Sequence, residues 1–345
     1  MWGGFITVIS TVLVFGLLIF IHEYGHFITA RFCKVGIKEF AIGMGPKLFS
    51  WKSKKYETKY GMRALPIGGF VSMVGEDEDS DSDEAFCNKS IPKRMLIVLA
   101  GPLMNLLLGF LLMSVIVLAQ DKLASTTIAQ FDDNAVSCDK LQEGDRIISV
   151  DGTLVFTGND VAYEIMNKGY EPIDIKVERS GEKILIEDVS FGHFEESGVT
   201  FGNYDFKFLQ EERTFGSIVK HSFWRSVSTV KMTFDSIVSL VTGRFGLDAV
   251  SGPVGVASVV GSAVKTGFVS FLYIVTVLSI NLGVFNLIPF PALDGGRFLF
   301  LIIESIRRKP MKKETESAIN FAGIVILFGF MIFVMGKDIF KLIRR

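Results

Sequence analysis

Lysine and arginine are missing from the first 30 residues; the first basic side chain is Arg31. A cleavable secretory leader opens on basic residues and closes on a small-residue cleavage site. The apolar N-terminus has neither, and it runs through Ile19, Phe20 and Ile21 into charged residues, so it reads as a retained membrane helix. Cysteine is scarce: Cys33, Cys87 and Cys138 are the only three, and the topology inferred below puts Cys138 alone on its side of the membrane. No disulfide framework is implied, and packing roles are expected. Charge of either sign is not in excess, at a formal net −1, so nothing suggests a nucleic-acid partner. Histidine is also rare, with four in 345 residues.

What is abundant is apolar surface. The broad hydrophobic set makes up 49% of the chain and mean hydropathy is +0.41. Four stretches, about 4–28, 95–119, 268–288 and 320–336, reach or approach the roughly 20 helical residues that cross a hydrocarbon core of about 30 Å. The expected fold class is therefore a polytopic α-helical membrane protein with about four spans, carrying a polar insert between the second and third.

Lys34, Lys38, Lys47, Lys52, Lys54, Lys55, Lys59, Arg63, Lys89 and Lys93 crowd the first connection, which the positive-inside rule assigns to the cytoplasm. The N-terminus and the 120–267 region then lie outside. Arg307, Arg308, Lys309, Lys312 and Lys313 return the third connection to the inside. Lys337, Lys341, Arg344 and Arg345 break the pattern, so either the tail lies at the interface or the fourth stretch is not a span.

Within the first span stands His22-Glu23-Tyr24-Gly25-His26. On a helix the i, i+4 spacing brings both imidazoles to one face, where they can share a metal, with Glu23 beside them as a base. The plainer reading has the histidines snorkelling to headgroups. Against it, three ionisable groups inside an apolar span are costly and mark function. A catalytic zinc takes three protein ligands and leaves one position open. The third span ends in Asn286-Leu287-Ile288-Pro289-Phe290-Pro291-Ala292-Leu293-Asp294-Gly295-Gly296, where Asp294 is the single carboxylate in a proline-broken segment. Non-helical backbone at membrane depth belongs against protein or a wet cavity, so Asp294 is the candidate third ligand. An ordinary helix end followed by a turn would also account for the prolines and glycines.

Together these motifs resemble the site-2 protease family, in its bacterial RseP/RasP-type branch, over nearly the whole chain. Gly101-Pro102-Leu103-Met104-Asn105, Leu65-Pro66-Ile67-Gly68-Gly69-Phe70-Val71 and Ser251-Gly252-Pro253-Val254-Gly255 agree in order. The resemblance implies an intramembrane endopeptidase in the plasma (inner) membrane, with Zn2+ on His22, His26 and Asp294 and Glu23 as general base. It implies single-span substrates such as anti-sigma factors or signal-peptide remnants. It further points to Asn286, at the motif position, and to Asn281, Gly69 and Phe70 as substrate contacts. Asn105 reads as structural. The alternatives are a metal transporter, a membrane scaffold without proteolytic activity, or a zincin whose third ligand is a helical Glu.

The remaining regions fill in the domain plan. A first helix over 1–30 leads to a cytoplasmic loop over 31–93, in which Phe40–Gly43, Lys47–Trp51 and Gly69–Met73 read as short membrane-associated strands. The second helix, 94–119, is followed at 120–203 by a small α+β domain. Its Gly144-Asp145-Arg146-Ile147-Ile148-Ser149-Val150-Asp151-Gly152 run and helix from Asp160 to Lys168 resemble a PDZ domain, a fold that takes peptides at a strand edge. Residues 204–267 form an amphipathic connector, 268–306 the third span with its Leu-Asp-Gly segment, and 307–345 a turn, the fourth span and the tail.

Overall fold

A computed structural model describes residues 2–53, 57–76, 78, 80–196, 198–246 and 250–344. Lys54 and Lys55 of the basic loop and Arg345 of the tail lie outside the described residues. Along the chain run α1 (Trp2–Phe32), β1 (Ile37–Lys52), β2 (Lys59–Met73), α2 (Ile91–Ala119), β3 (Leu123–Phe131), β4 (Arg146–Val150), β5 (Thr153–Leu154) and α3 (Gly158–Lys168). There follow β6 (Ile173–Arg179), β7 (Glu182–Val189), β8 (Gly192–Glu196), β9 (Val199–Asn203), β10 (Phe206–Glu211) and α4 (Phe215–Val241). The chain closes with α5 (Pro253–Thr266), α6 (Phe268–Leu287), α7 (Asp294–Arg307) and α8 (Lys313–Arg344). It divides into two units, Met1–Gly109 with Ser251–Arg345, and Phe110–Val250.

Four of these helices are long and apolar enough to cross a membrane: α1, α2, α6 and α8. At about 1.5 Å per residue, the 31 residues of α1 extend some 46 Å. That exceeds a hydrocarbon core, and its C-terminal turns pack against the hairpin β1–β2. The sequence suggests three short strands here. They form, joined by a fourth over 59–63: Phe40–Ile42 pairs antiparallel with Gly69–Val71 on one side and runs alongside Tyr60–Met62 on the other, while Lys47–Lys52 pairs antiparallel with Lys59–Arg63. Gly43, Gly45 and Gly68, with φ of 86°, 86° and 91°, sit where the chain bends between these segments. The hairpin base is anchored by Ile37, Phe40, Val71 and Met73, which pack with Ala30 and Cys33 of α1 and Ile97 of α2. Its distal half bares Leu48, Phe49 and Trp51.

The second unit is built on one antiparallel sheet in the order β10-β3-β4-β6-β7, with β5 beside β4. Alternating residues such as Ile147, Ile175 and Val177 face a core closed by Val161 and Ile165 of α3. The capping box of Thr157 and Asp160 starts α3 at Gly158. β10 continues the sheet past residue 203, the boundary expected from sequence, because Phe206 and Phe208 pack into the same core. In α4 the periodicity is genuine. Its small polar side chains Ser222, Ser226, Thr229 and Thr233 are buried, while Phe215, Val219, Phe223, Val227, Phe234 and Val238 are exposed. Trp224 of α4 stacks on Phe156 beside α3, and Lys231 pairs with Glu164 at 2.8 Å.

Candidate metal centre

All the chemistry-bearing residues of the sequence fall in the first unit. Helical spacing sets the His22 and His26 rings side by side, with Nε2 atoms 3.2 Å apart. Asp294, the first helical residue of α7, brings Oδ2 to 3.0 Å from Nε2 of His22 and 3.4 Å from Nε2 of His26. One ligand atom from each of the three lies within 4.8 Å of the others.

Close helix approach makes this possible. At Gly101 of α2, a Cβ would stand 2.3 Å from Nε2 of His26 and 2.9 Å from Nε2 of His22, so any side chain there would fill the place where the donors meet. At Gly295, a Cβ would lie 2.2 Å from the Ile288 carbonyl oxygen. Glycine therefore lets the first turn of α7 fold directly onto the end of α6.

The hydrogen bonds fix which nitrogens are bare. Nδ1 of His26 lies 2.8 Å from the Ile97 carbonyl. A carbonyl only accepts, so this nitrogen carries the proton and Nε2 of the neutral ring presents a lone pair. Nδ1 of His22 faces the carboxamide of Asn105 at 3.3 Å, and that carboxamide is completely buried. The two ends of a carboxamide share one shape, and the pattern chooses between them. The amide nitrogen is the end nearer Nδ1 and the amide oxygen is left without a partner; with the two ends exchanged, the oxygen accepts from Nδ1–H and Nε2 of His22 is bare as well. Both Nε2 lone pairs then point at Oδ2 of Asp294, itself a buried acceptor without a hydrogen-bond donor. Three converging acceptors repel one another unless a cation stands among them. Two imidazoles and one carboxylate are a donor set suited to zinc.

Glu23 is next to His22 on α1 and lies against β2. Gly69 stands over it, with the Glu23 Cγ 3.3 Å from where a Cβ would be. Phe70 points elsewhere and carries the Arg63 guanidinium 4.6 Å above its ring. Asn286 lies in the last turn of α6 and donates to the Leu282 carbonyl at 2.9 Å. Asn281 is one turn earlier on α6, the helix whose Ser279 hydroxyl donates to the Asn105 carbonyl at 2.8 Å. The site thus gathers His22, His26, Asp294, Glu23 and Gly69. Sequence reasoning missed Asn105 as the partner of His22. Its only signal was an asparagine four residues beyond the glycine of Gly101-Pro102 on an apolar helix.

A model of peptidase family M50 matches residues 10–330. The chain belongs to this family, the site-2 proteases. It is 30% identical to the regulator of sigma-W protease RasP of Bacillus subtilis, across 97% of this chain and 99% of that one. A zinc metalloprotease RasP of Shouchella clausii is likewise 30% identical, with 97% and 99% covered. A candidate zinc metalloprotease of Clostridium acetobutylicum is 35% identical over 97% of this chain and 98% of its own. The family makes this chain a metallopeptidase, and the apolar helices make it a multi-pass membrane protein.

Proposed function

We propose that the chain is a zinc-dependent endopeptidase that cleaves single-span membrane proteins within or beside the bilayer, with His22, His26 and Asp294 as ligands and Glu23 as general base. The observation that carries this reading is the convergence of three buried lone-pair donors on one point, with a carboxylate one residue from the first of them. Bound there, zinc supplies Lewis acidity that polarises the scissile carbonyl and brings a water's pKa down to about 7. Glu23 takes the proton of the attacking water and returns it to the leaving amine, so peptide hydrolysis proceeds without a covalent intermediate.

A substrate helix shields its peptide bonds and has to open before cleavage. The outer edge of β2 at 69–73 supports a way to hold it open, since Gly69 on that segment stands beside Glu23. A substrate added on this edge as an extended strand would bring its backbone to Glu23. Gly69 leaves room for that strand, and Phe70 fixes Arg63 nearby. The Asn286 carboxamide, and Asn281 before it, supply hydrogen bonds to the substrate backbone or the developing oxyanion.

The sheet of the second unit we take to be a PDZ-like module, with β10 at the end of the strand order and its outer edge open for a peptide. By the charge bias it faces the extracytoplasmic side, as does the N-terminus, while the active site lies toward the cytoplasm. The exposed Phe and Val stripe of α4 suits a bilayer surface. One relative is named as a regulator of sigma-W, which favours a membrane-bound anti-sigma factor as substrate over a signal-peptide remnant. Cleavage of a single-span model substrate by purified protein with stoichiometric zinc tests the proposal. Wild type should yield product and Glu23→Gln should yield none while still retaining zinc. Equal cleavage by both would remove Glu23 as the base, and cleavage by neither would leave the transporter or scaffold reading standing.

A further inference from the structure

Asp294 stands where it does because of the two residues before it. Ala292 has φ 74°, in the left-handed region that a Cβ disfavours. Other N–H groups of this turn are taken internally, Phe290 by the Ile288 carbonyl at 2.7 Å and Leu293 by the Phe290 carbonyl at 3.1 Å. The N–H of Ala292 instead donates to Oδ1 of Asn320, on α8, at 3.2 Å. One turn further along α8, a Cβ on Gly323 would come within 2.5 Å of the Pro291 carbonyl oxygen, so α8 lies directly against the turn. Leu293, which caps α7, contributes no side-chain hydrogen bond, and nothing in its own side chain fixes the start of that helix.

We propose that Asn320 is a positioning residue for the metal centre. Its carboxamide holds Ala292 in the left-handed conformation, which sets the direction in which the chain enters α7 and thereby the location of the Asp294 carboxylate opposite His22 and His26. The proposal rests on Asp294 being a zinc ligand. It assigns the last long helix a part in the active site through one hydrogen bond to the backbone.

The test is zinc affinity, measured by chelator competition on the full-length protein in detergent, with the visible spectrum of the Co2+-substituted protein as a report on ligand geometry. Asn320→Leu and Asn320→Ala both remove the acceptor and should weaken zinc about tenfold, the scale of a lost supporting contact at a metal site. Both should also shift the cobalt bands. Ala292→Gly should restore affinity in either background to within about twofold of wild type, because glycine adopts a positive φ unaided. Unchanged affinity in both Asn320 variants overturns the proposal. So does a loss that Ala292→Gly fails to relieve, which would make Asn320 a packing residue only. Asp294→Ala serves as the control: if it binds zinc as wild type does, the ligand assignment itself falls.

Discussion

The side chains of His22 and Asn105 meet at 3.3 Å inside the protein, imidazole Nδ1 against carboxamide, although 83 residues separate them. This contact decides which nitrogen of His22 is free for a metal. Replacing Asn105 by leucine keeps the volume and removes the carboxamide, so the ring is released to either tautomer. Zinc affinity should fall about 10- to 100-fold, with the four membrane helices intact by circular dichroism. Unaltered zinc affinity in Asn105→Leu would detach this asparagine from the centre.

Gly101→Ala places a methyl group on the donors' meeting point, 2.3 Å from Nε2 of His26. Displacement of the order of 1 Å at reacting groups costs about 100-fold in rate. Steady-state cleavage should drop by at least that factor, and metal analysis should show substoichiometric zinc.

Ion pairs tie α7 to the rest of its unit. Arg94 grips Glu304 with two hydrogen bonds of 3.0 and 2.5 Å, and Arg297, three residues after Asp294, pairs with Glu76. The Arg94 and Glu304 side chains are only 12% and 15% exposed. Removing one member strands its partner in a poorly solvated place, at a cost of about 1–3 kcal/mol. Arg94→Ala should lower the thermal midpoint in detergent, and the exchanged pair Arg94→Glu with Glu304→Arg should recover part of it.

Acid should loosen the start of α4. Burial pushes the His221 imidazole below its ordinary pKa, against the pull of Glu211. Burial works to raise the Glu211 carboxyl, but hydrogen bonds from His221 and Lys220 outweigh it and hold that group below the usual range. Both groups bind fewer protons folded than unfolded, so their contribution is present at neutral pH. It declines first as pH falls below about 6.5, where an unfolded histidine protonates, and again below about 4.5 for the glutamate. Thermal midpoints of wild type and His221→Gln, recorded from pH 7.5 to 5, should converge toward the acid end. Parallel curves would remove His221 from the account.

Much of the fold and site is legible in the sequence for identifiable reasons. The spacing of His22, Glu23 and His26 is a local property of one helix, so it survives any tertiary arrangement. Asp294 stands out because a carboxylate in a proline-broken apolar segment is costly to place there unless it meets a cation or water. The contacts of Asn105 and Asn320 are long-range, to His22 and Ala292, and a lone asparagine on an apolar helix announces no partner. Periodicity correctly places α4 but cannot say which face is covered, and the polar one is. The short strands of this region are legible because glycines with positive φ, Gly43, Gly45 and Gly68, bend the chain between the paired segments.

The central claim is that one zinc ion is held by His22, His26 and Asp294. X-ray absorption at the zinc edge, on wild type and Asp294→Ala loaded with one equivalent, tests it most directly. The account predicts two imidazole nitrogens at about 2.0–2.1 Å with oxygen ligands at about 2.0–2.2 Å in wild type, and a weaker, rearranged site in the variant. Identical spectra for the two proteins, or a sulfur ligand at about 2.3 Å, would contradict it.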